Sequence, residues 1–266
     1  MQPLREGGSL PAVVDTNDGG LFVVKFRGAG QGAKALIAEL IVGLLAQEAG
    51  LPTPALALVE IGDTFGRSEP DPEIQDLLRA SHGTNIGLRY LDGAFNFDGA
   101  AAGDLISPEL AARIVWLDAF VTNPDRTHRN PNLLVWQRTP WLIDHGAALY
   151  AQHDWPSVDE ERTRSAFPLI EQHVLLAASG DIAQADDAMT RVINERVVRA
   201  VVTAVPDELL TDPMVAPEFA TPEAARDRYA AYLTSRLSSP RRFAQEAEQA
   251  RSRVALRVPQ RLAARR

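Results

Sequence analysis

The sequence predicts an α+β protein of two lobes, a small β-rich N-terminal lobe over residues 1–93 and a larger, mainly helical lobe over 94–266. Three observations lead there. β-Branched and aromatic runs separated by turn residues fill the first part of the chain, and a Gly- and Ala-rich segment at 92–104 marks a change of composition. Beyond it, helical periodicity interrupted by prolines dominates.

The elements follow in order. Residues 10–16 and 21–26 read as strands, and Asn17-Asp-Gly-Gly20 between them as a hairpin turn, because positive φ is readily accepted there. Just upstream, Gly7, Gly8 and Ser9 form a small turn whose backbone N–H groups can approach phosphate oxygens without interference from Cβ. After Gly28-Ala-Gly-Gln-Gly32 a helix is predicted over 34–49, stopped by Gly50 with Pro52 beyond. Residues 54–61 form the next strand, 62–76 a polar surface insertion, and 85–91 another short strand.

The second lobe opens with Ser107-Pro108, a cap and first-turn proline for a helix over 109–122 that carries Leu110, Ile114, Leu117 and Phe120 on one stripe. Two apolar stretches, 132–136 and 140–143, form a hairpin across Gln-Arg-Thr. Residues 167–178 and 187–204 read as helices, with breaks at Pro206, Pro213, Pro217 and Pro222 and a solvated connection over 181–187.

Composition narrows the function classes. At 266 residues with 45 % apolar content the chain can bury a sizeable core, and no run approaches the roughly 20 apolar residues of a membrane span. The start lacks the apolar region of a signal peptide, and the absence of cysteine excludes disulfides and thiolate metal sites, so the expected location is cytoplasmic. The net charge of −8 is uneven: residues 240–266 hold eight arginines and two glutamates, net +6, which leaves −14 for the rest. An acidic body argues against a nucleic-acid partner and reads the basic tail as a solvated helix docked on that body.

The chemistry concentrates at Asn123-Pro-Asp-Arg-Thr-His-Arg-Asn-Pro-Asn132 and at Trp141-Leu-Ile-Asp-His-Gly146. An aspartate that orients a hydroxyl, Asp125, asparagines a few residues on, Asn130 and Asn132, and a second aspartate after a following strand, Asp144, suit phosphoryl transfer, the asparagines and Asp144 supplying the hard oxygen ligands that Mg²⁺ accepts. Only two of the 27 basic residues are lysines, and Lys25 lies in the strand Leu21-Phe-Val-Val-Lys-Phe26. A compact ammonium on a strand can steady the phosphates of ATP, a task for which arginine is not equivalent. Glu39 sits mid-helix among Leu36, Ile37, Leu40 and Ile41, and a carboxylate so placed needs a partner. Lys25 is the expected one.

These motifs, with Ala49-Gly-Leu-Pro-Thr-Pro54 after the Glu39 helix, resemble the HipA-like serine/threonine kinases over about residues 5–150. The resemblance implies a two-lobed protein-kinase-like fold, ATP and Mg²⁺. It assigns Gly7, Gly8 and Ser9 to a phosphate loop, Lys25 to ATP, Asp125 to the base, and Asn130 and Asp144 to the metal. By the same likeness, Arg89, Tyr90 and Leu91 lie on the strand whose backbone would bond adenine. Asp144-His145-Gly146 stands where many kinases have Asp-Phe-Gly. The glycine turn is expected to lie almost at the start, without the additional N-terminal domain of longer members, which leaves an antitoxin partner uncertain.

Two alternatives keep the same residues in view. A small-molecule or lipid kinase would use the same site with an acidic pocket for its acceptor, and a non-catalytic nucleotide sensor would bind without turnover. A hydrolase metal site drawing on His128, His145 and His153 with Asp125 and Asp144 would leave Lys25 and Glu39 unused. His82 and His173 have no sequence neighbours that suggest a role.

Overall fold

The computed structural model describes residues 2–3, 11–17, 19–30, 32–99 and 105–257. The N-terminal part is an antiparallel five-stranded sheet of β1 (Gln2–Pro3), β2 (Ala12–Asp15), β3 (Leu21–Lys25), β4 (Leu56–Ile61) and β5 (Gly83–Arg89), in the order β1-β2-β3-β5-β4. The β2–β3 hairpin forms as expected, with Gly19 at φ +78 and the Thr16 N–H donating to Gly20 O at 3.0 Å. β3 is an interior strand, and Lys25 at its end lies opposite Ile86 of β5.

Helix α1 (Gly32–Glu48) is apolar nearly all round, so it must be enclosed on every side. Gly50 at φ +64 ends it, and the Leu51 N–H returns to Ala46 O at 2.9 Å. Its side chains merge with the large core that continues through Trp116 and Phe120 to Phe243. A smaller core of Val14, Val24, Phe26, Ile61 and Leu78 lies under the sheet.

Leu78 corrects one expectation. Residues 62–76 are not a plain surface insertion, because α2 (Pro72–Ala80) starts within them, capped by the Asp71 carboxylate, which accepts from Glu73 N at 2.9 Å. Polar composition hid an Asp-Pro helix start. The Gly- and Ala-rich segment likewise holds a strand, β6 (Phe95–Asn96), which joins β7 (Leu133–Trp136) and β8 (Thr139–Leu142) in a three-stranded sheet. The β7–β8 hairpin matches the predicted one, turning through Gln137 and Arg138 at φ +48 and +62.

Helix α3 (Pro108–Phe120) starts at its Ser107 cap as expected. At its last carbonyls buried Arg236 donates to Ala119 O at 3.0 Å, which also accepts the Thr122 N–H at 3.4 Å, and to Phe120 O at 2.7 Å. A short α4 (Glu160–Thr163) follows the second hairpin.

The helix expected over 167–178 is replaced by two 3₁₀ turns, Pro168–Gln172 and Leu176–Ala178. The reason is tertiary: the Val174 N–H donates to Arg126 O at 3.0 Å, and Thr127 bridges to His173, which a continuous helix would forbid. Residues 187–204 are divided between α5 (Ile182–Val192) and α6 (Glu195–Thr203), because Asn194 adopts an extended backbone and caps Val197 N at 3.2 Å.

The final elements are α7 (Asp207–Leu210), α8 (Pro222–Leu237) and α9 (Arg242–Arg257). α9 docks on the body, with Arg241 bound to Asp186 at 2.6 Å and Phe243 edge-on to Trp116 at 5.3 Å. Residues 181–187 are therefore not a solvated connection: Asp181 caps α5, and Asp186 anchors both Arg241 and the Trp116 indole N–H. Among the described residues, no helix is long and apolar enough to cross a membrane.

Candidate active site

Lys25 reaches the site from the end of β3, and its ammonium lies 2.6 Å from Glu39 Oε2 and 2.6 Å from Asp144 Oδ1. The expected Lys25–Glu39 pair is thus present, and Asp144 converges on it. Burial works against the ammonium, yet the attraction of Glu39 and Asp144 outweighs it and holds the lysine above its usual range. For Asp144 burial also opposes the charged form, and Lys25 overrides it, keeping the carboxyl below its usual range. Glu39 is fully buried, and its Oε2 also accepts the His145 N–H at 2.6 Å, while Oε1 has no partner among the described residues.

Asp144 follows β8 and adopts φ +57, and Asn132, just before β7, adopts φ +47. Side chains rarely take this left-handed region, where asparagine and aspartate are tolerated best and strain tends to mark function. The pairing of Leu133 with Leu142 continues outward to Asn132 and Ile143, whose N–H donates to Asn132 O at 3.1 Å. Asn132 is therefore one residue away from Asp144 across the hairpin.

Asp125 lies in the loop between α3 and β7. Its Oδ2 accepts from both asparagine amides, Asn130 Nδ2 at 2.8 Å and Asn132 Nδ2 at 3.1 Å, and its backbone N–H donates to Asn123 Oδ1 at 3.1 Å. Asn130 is exposed, whereas Asn132 is buried. No donor among the described residues meets Asp125 Oδ1, Asp144 Oδ2 or the Asn132 side-chain carbonyl. The Asp144 side chain is 41 % exposed. Carboxylate and amide oxygens of this kind form the hard donor set that Mg²⁺ accepts.

Residues 1–215 match the sequence profile of the HipA-like kinases. The chain belongs to that family. Its fold is similar to the crystal structure of the Helicobacter pylori proinflammatory kinase CtkA, with a TM-score of 0.54, 12 % identity, and 96 % of each chain covered. No curated protein matches.

The other expected site residues of this HipA-like kinase are distributed unevenly. Gly7, Gly8 and Ser9 lie outside the described residues. At the end of β5 the N–H groups of Arg89 and Tyr90 are taken by Ala55 O and Leu21 O, both at 2.8 Å, whereas no hydrogen bond among the described residues takes the Leu91 N–H. The Arg89 guanidinium lies over the Phe22 ring at 5.7 Å. The three histidines of the hydrolase alternative do not gather: His128 is exposed on the loop, the buried His145 ring meets Arg126, and His153 is within electrostatic reach of Lys34 and Glu218.

Sequence reasoning missed the group beneath the loop. Asp118 is fully buried in α3 and binds Arg126 Nε at 2.6 Å, His173 Nε2 at 2.9 Å and Asn123 Nδ2 at 2.9 Å. Burial disfavours its charge, but Arg126 and His173 outweigh that and hold it well below the carboxylate range. The signal was available, since Asp118 is a carboxylate in an apolar helix, as Glu39 is. His173, which had no telling neighbours in the sequence, is a buried residue bound to Asp118.

Proposed function

We propose that this chain transfers the γ-phosphoryl group of ATP to a serine or threonine hydroxyl of a protein, itself included. The convergence of Lys25, Glu39 and Asp144, with Asp125 tied to Asn132, one residue from Asp144 across the hairpin, carries the reading. In the step, the acceptor oxygen attacks the γ-phosphorus, the bond to the β-phosphate oxygen breaks, and the hydroxyl proton passes to Asp125 through the carboxylate oxygen that neither asparagine engages. Asn130 and Asn132 orient this base. Lys25, held by Glu39, steadies the phosphates.

Asn132 and Asp144 would hold Mg²⁺, favoured as a pair by their adjacency across the hairpin; when bound, the ion offsets charge on the phosphates. Leu91 would offer its N–H to adenine. Residues 1–93 would then form the nucleotide lobe and 94–266 the catalytic one.

Incubation with labelled ATP and Mg²⁺ tests the reading, with wild type beside Asp125→Ala. Label on serine or threonine of the protein or of an added protein, lost in the variant, is the expected result. Nucleotide binding without transfer would support the sensor instead, and label only on a supplied small alcohol would support a small-molecule kinase.

A further inference from the structure

The Arg126 side chain has no part in the chemistry described so far, yet it is the best connected group near the site and is only 1 % exposed. Its Nη1 donates to Asn132 O and, at 3.2 Å, to Ile143 O. Its Nη2 donates to His145 Nδ1 at 3.2 Å, and its Nε to Asp118 Oδ2 at 2.6 Å. Three of these four acceptors belong to the two residues that carry oxygen donors at the site or to their direct neighbours: Asn132 itself, and Ile143 and His145 on either side of Asp144.

Both Asn132 and Asp144 are in the left-handed region, which non-glycine residues adopt rarely and which contacts to the flanking carbonyls help to hold. Arg126 supplies those contacts from one rigid fork. The carbonyl of the left-handed Asn132 and the carbonyl leading into the left-handed Asp144 converge on the same nitrogen. The fork is itself fixed from behind. Asp118 receives His173 Nε2 as well, and the Leu175 N–H donates to His173 Nδ1 at 3.0 Å, which sets that ring as the tautomer able to donate to Asp118.

The far side closes through His145, whose backbone N–H donates to Glu39 while its ring accepts from Arg126. A continuous buried chain of contacts therefore runs from Glu39 through His145 and Arg126 to Asp118. Lysine could not replace this geometry, because an ammonium cannot span two carbonyls, an imidazole and a carboxylate at once.

We infer that Arg126 is a positioning residue: by binding Asn132 O, Ile143 O and the His145 ring it fixes the backbones from which the Asn132 and Asp144 side chains would reach a divalent cation. The inference rests on the proposed role of those two residues as cation ligands. Its test is Mn²⁺ affinity, read by electron paramagnetic resonance on the full chain with a non-hydrolysable ATP analogue, for wild type, Arg126→Lys and Asp118→Asn. Nucleotide affinity without metal and melting temperature are measured on the same samples.

The expected result is a loss of Mn²⁺ affinity of about 10-fold or more in Arg126→Lys, a smaller loss in Asp118→Asn, and metal-free nucleotide binding within about twofold of wild type. Added Mn²⁺ should restore phosphoryl transfer in Arg126→Lys, which a general loss of folded protein would not allow. Unchanged Mn²⁺ affinity in whichever variant folds would overturn the inference, and so would failure of both to fold, which would make the cluster a determinant of folding alone. A wild-type chain that binds no Mn²⁺ would sink the kinase reading itself, a separate outcome.

Discussion

The ammonium of Lys25 and the carboxylate of Asp144 meet at 2.6 Å although 119 residues separate them in sequence. The contact joins the sheet of the N-terminal part to the hairpin of the C-terminal part. With Glu39 also at 2.6 Å, one cation organises two carboxylates of different burial, one enclosed and one partly open to solvent.

That difference in burial predicts an asymmetric response to mutation. Lys25→Met leaves Glu39 buried without its cation and should cost about 3 kcal/mol, whereas Lys25→Met combined with Glu39→Leu should recover most of it. Urea unfolding of the single and double variants reads the coupling. Phosphoryl transfer should be lost in both, and additive stability losses would refute the pairing energetics.

The two asparagines should separate. Asn132→Ala should lower the transfer rate about 100-fold and raise the Mg²⁺ concentration needed for half-maximal rate, because Asn132 is the neighbour of Asp144 across the hairpin. Asn130→Ala, which removes only an exposed contact to Asp125, should leave the Mg²⁺ requirement near wild type. Steady-state rates across a Mg²⁺ series decide it, and the reverse pattern would transfer the ligand role to Asn130.

Arg236→Ala should destabilise by about 3 kcal/mol or more, since it strips partners from carbonyls at the end of α3 and from Thr163 O. Calorimetric melting checks this. A shift within a degree would mean that water replaces the guanidinium.

Stability should fall as the solution is acidified from pH 6.5. Burial pushes His145 down to about 4, and burial likewise lowers His173 despite its bond to Asp118. Between pH 6.5 and about 4 the unfolded chain binds a proton at His145 that the native one does not, so the unfolded state gains as pH drops. The shift corresponds to a loss of at most about 3 kcal/mol from His145 by pH 4. Asp118, charged in the native state below its ordinary range, adds a further loss once its unfolded counterpart protonates. Urea midpoints at pH 7, 5.5 and 4.5 measure the slope, and a flat profile would contradict the buried neutral imidazoles.

Much of this was readable from local pattern. Turn residues placed the β2–β3 hairpin, Gly50 ended α1, and Ser107 began α3, because each depends on backbone preferences a few residues wide. The Glu39 partner was legible because a carboxylate within an apolar helix admits few solutions. Residues 167–178 were not: their apolar spacing suits a helix, but their backbone is committed to the Asp125 loop. Asp118 gave the same kind of signal as Glu39, but no local pattern marks Arg126 or His173 as its buried partners.

By itself, then, the sequence determined the α+β class and, through its motifs, the resemblance to the family, and it pointed to the Lys25–Glu39 pair, because hydrophobic pattern and a lone carboxylate in an apolar helix are written residue by residue. Only the tertiary structure decided that Asn132 rather than Asn130 adjoins Asp144, that α9 docks on Asp186, and that Arg126 turns inward beneath the site. Those outcomes depend on strand register and on which buried charges find one another in three dimensions, and neither is set by any local stretch of chain.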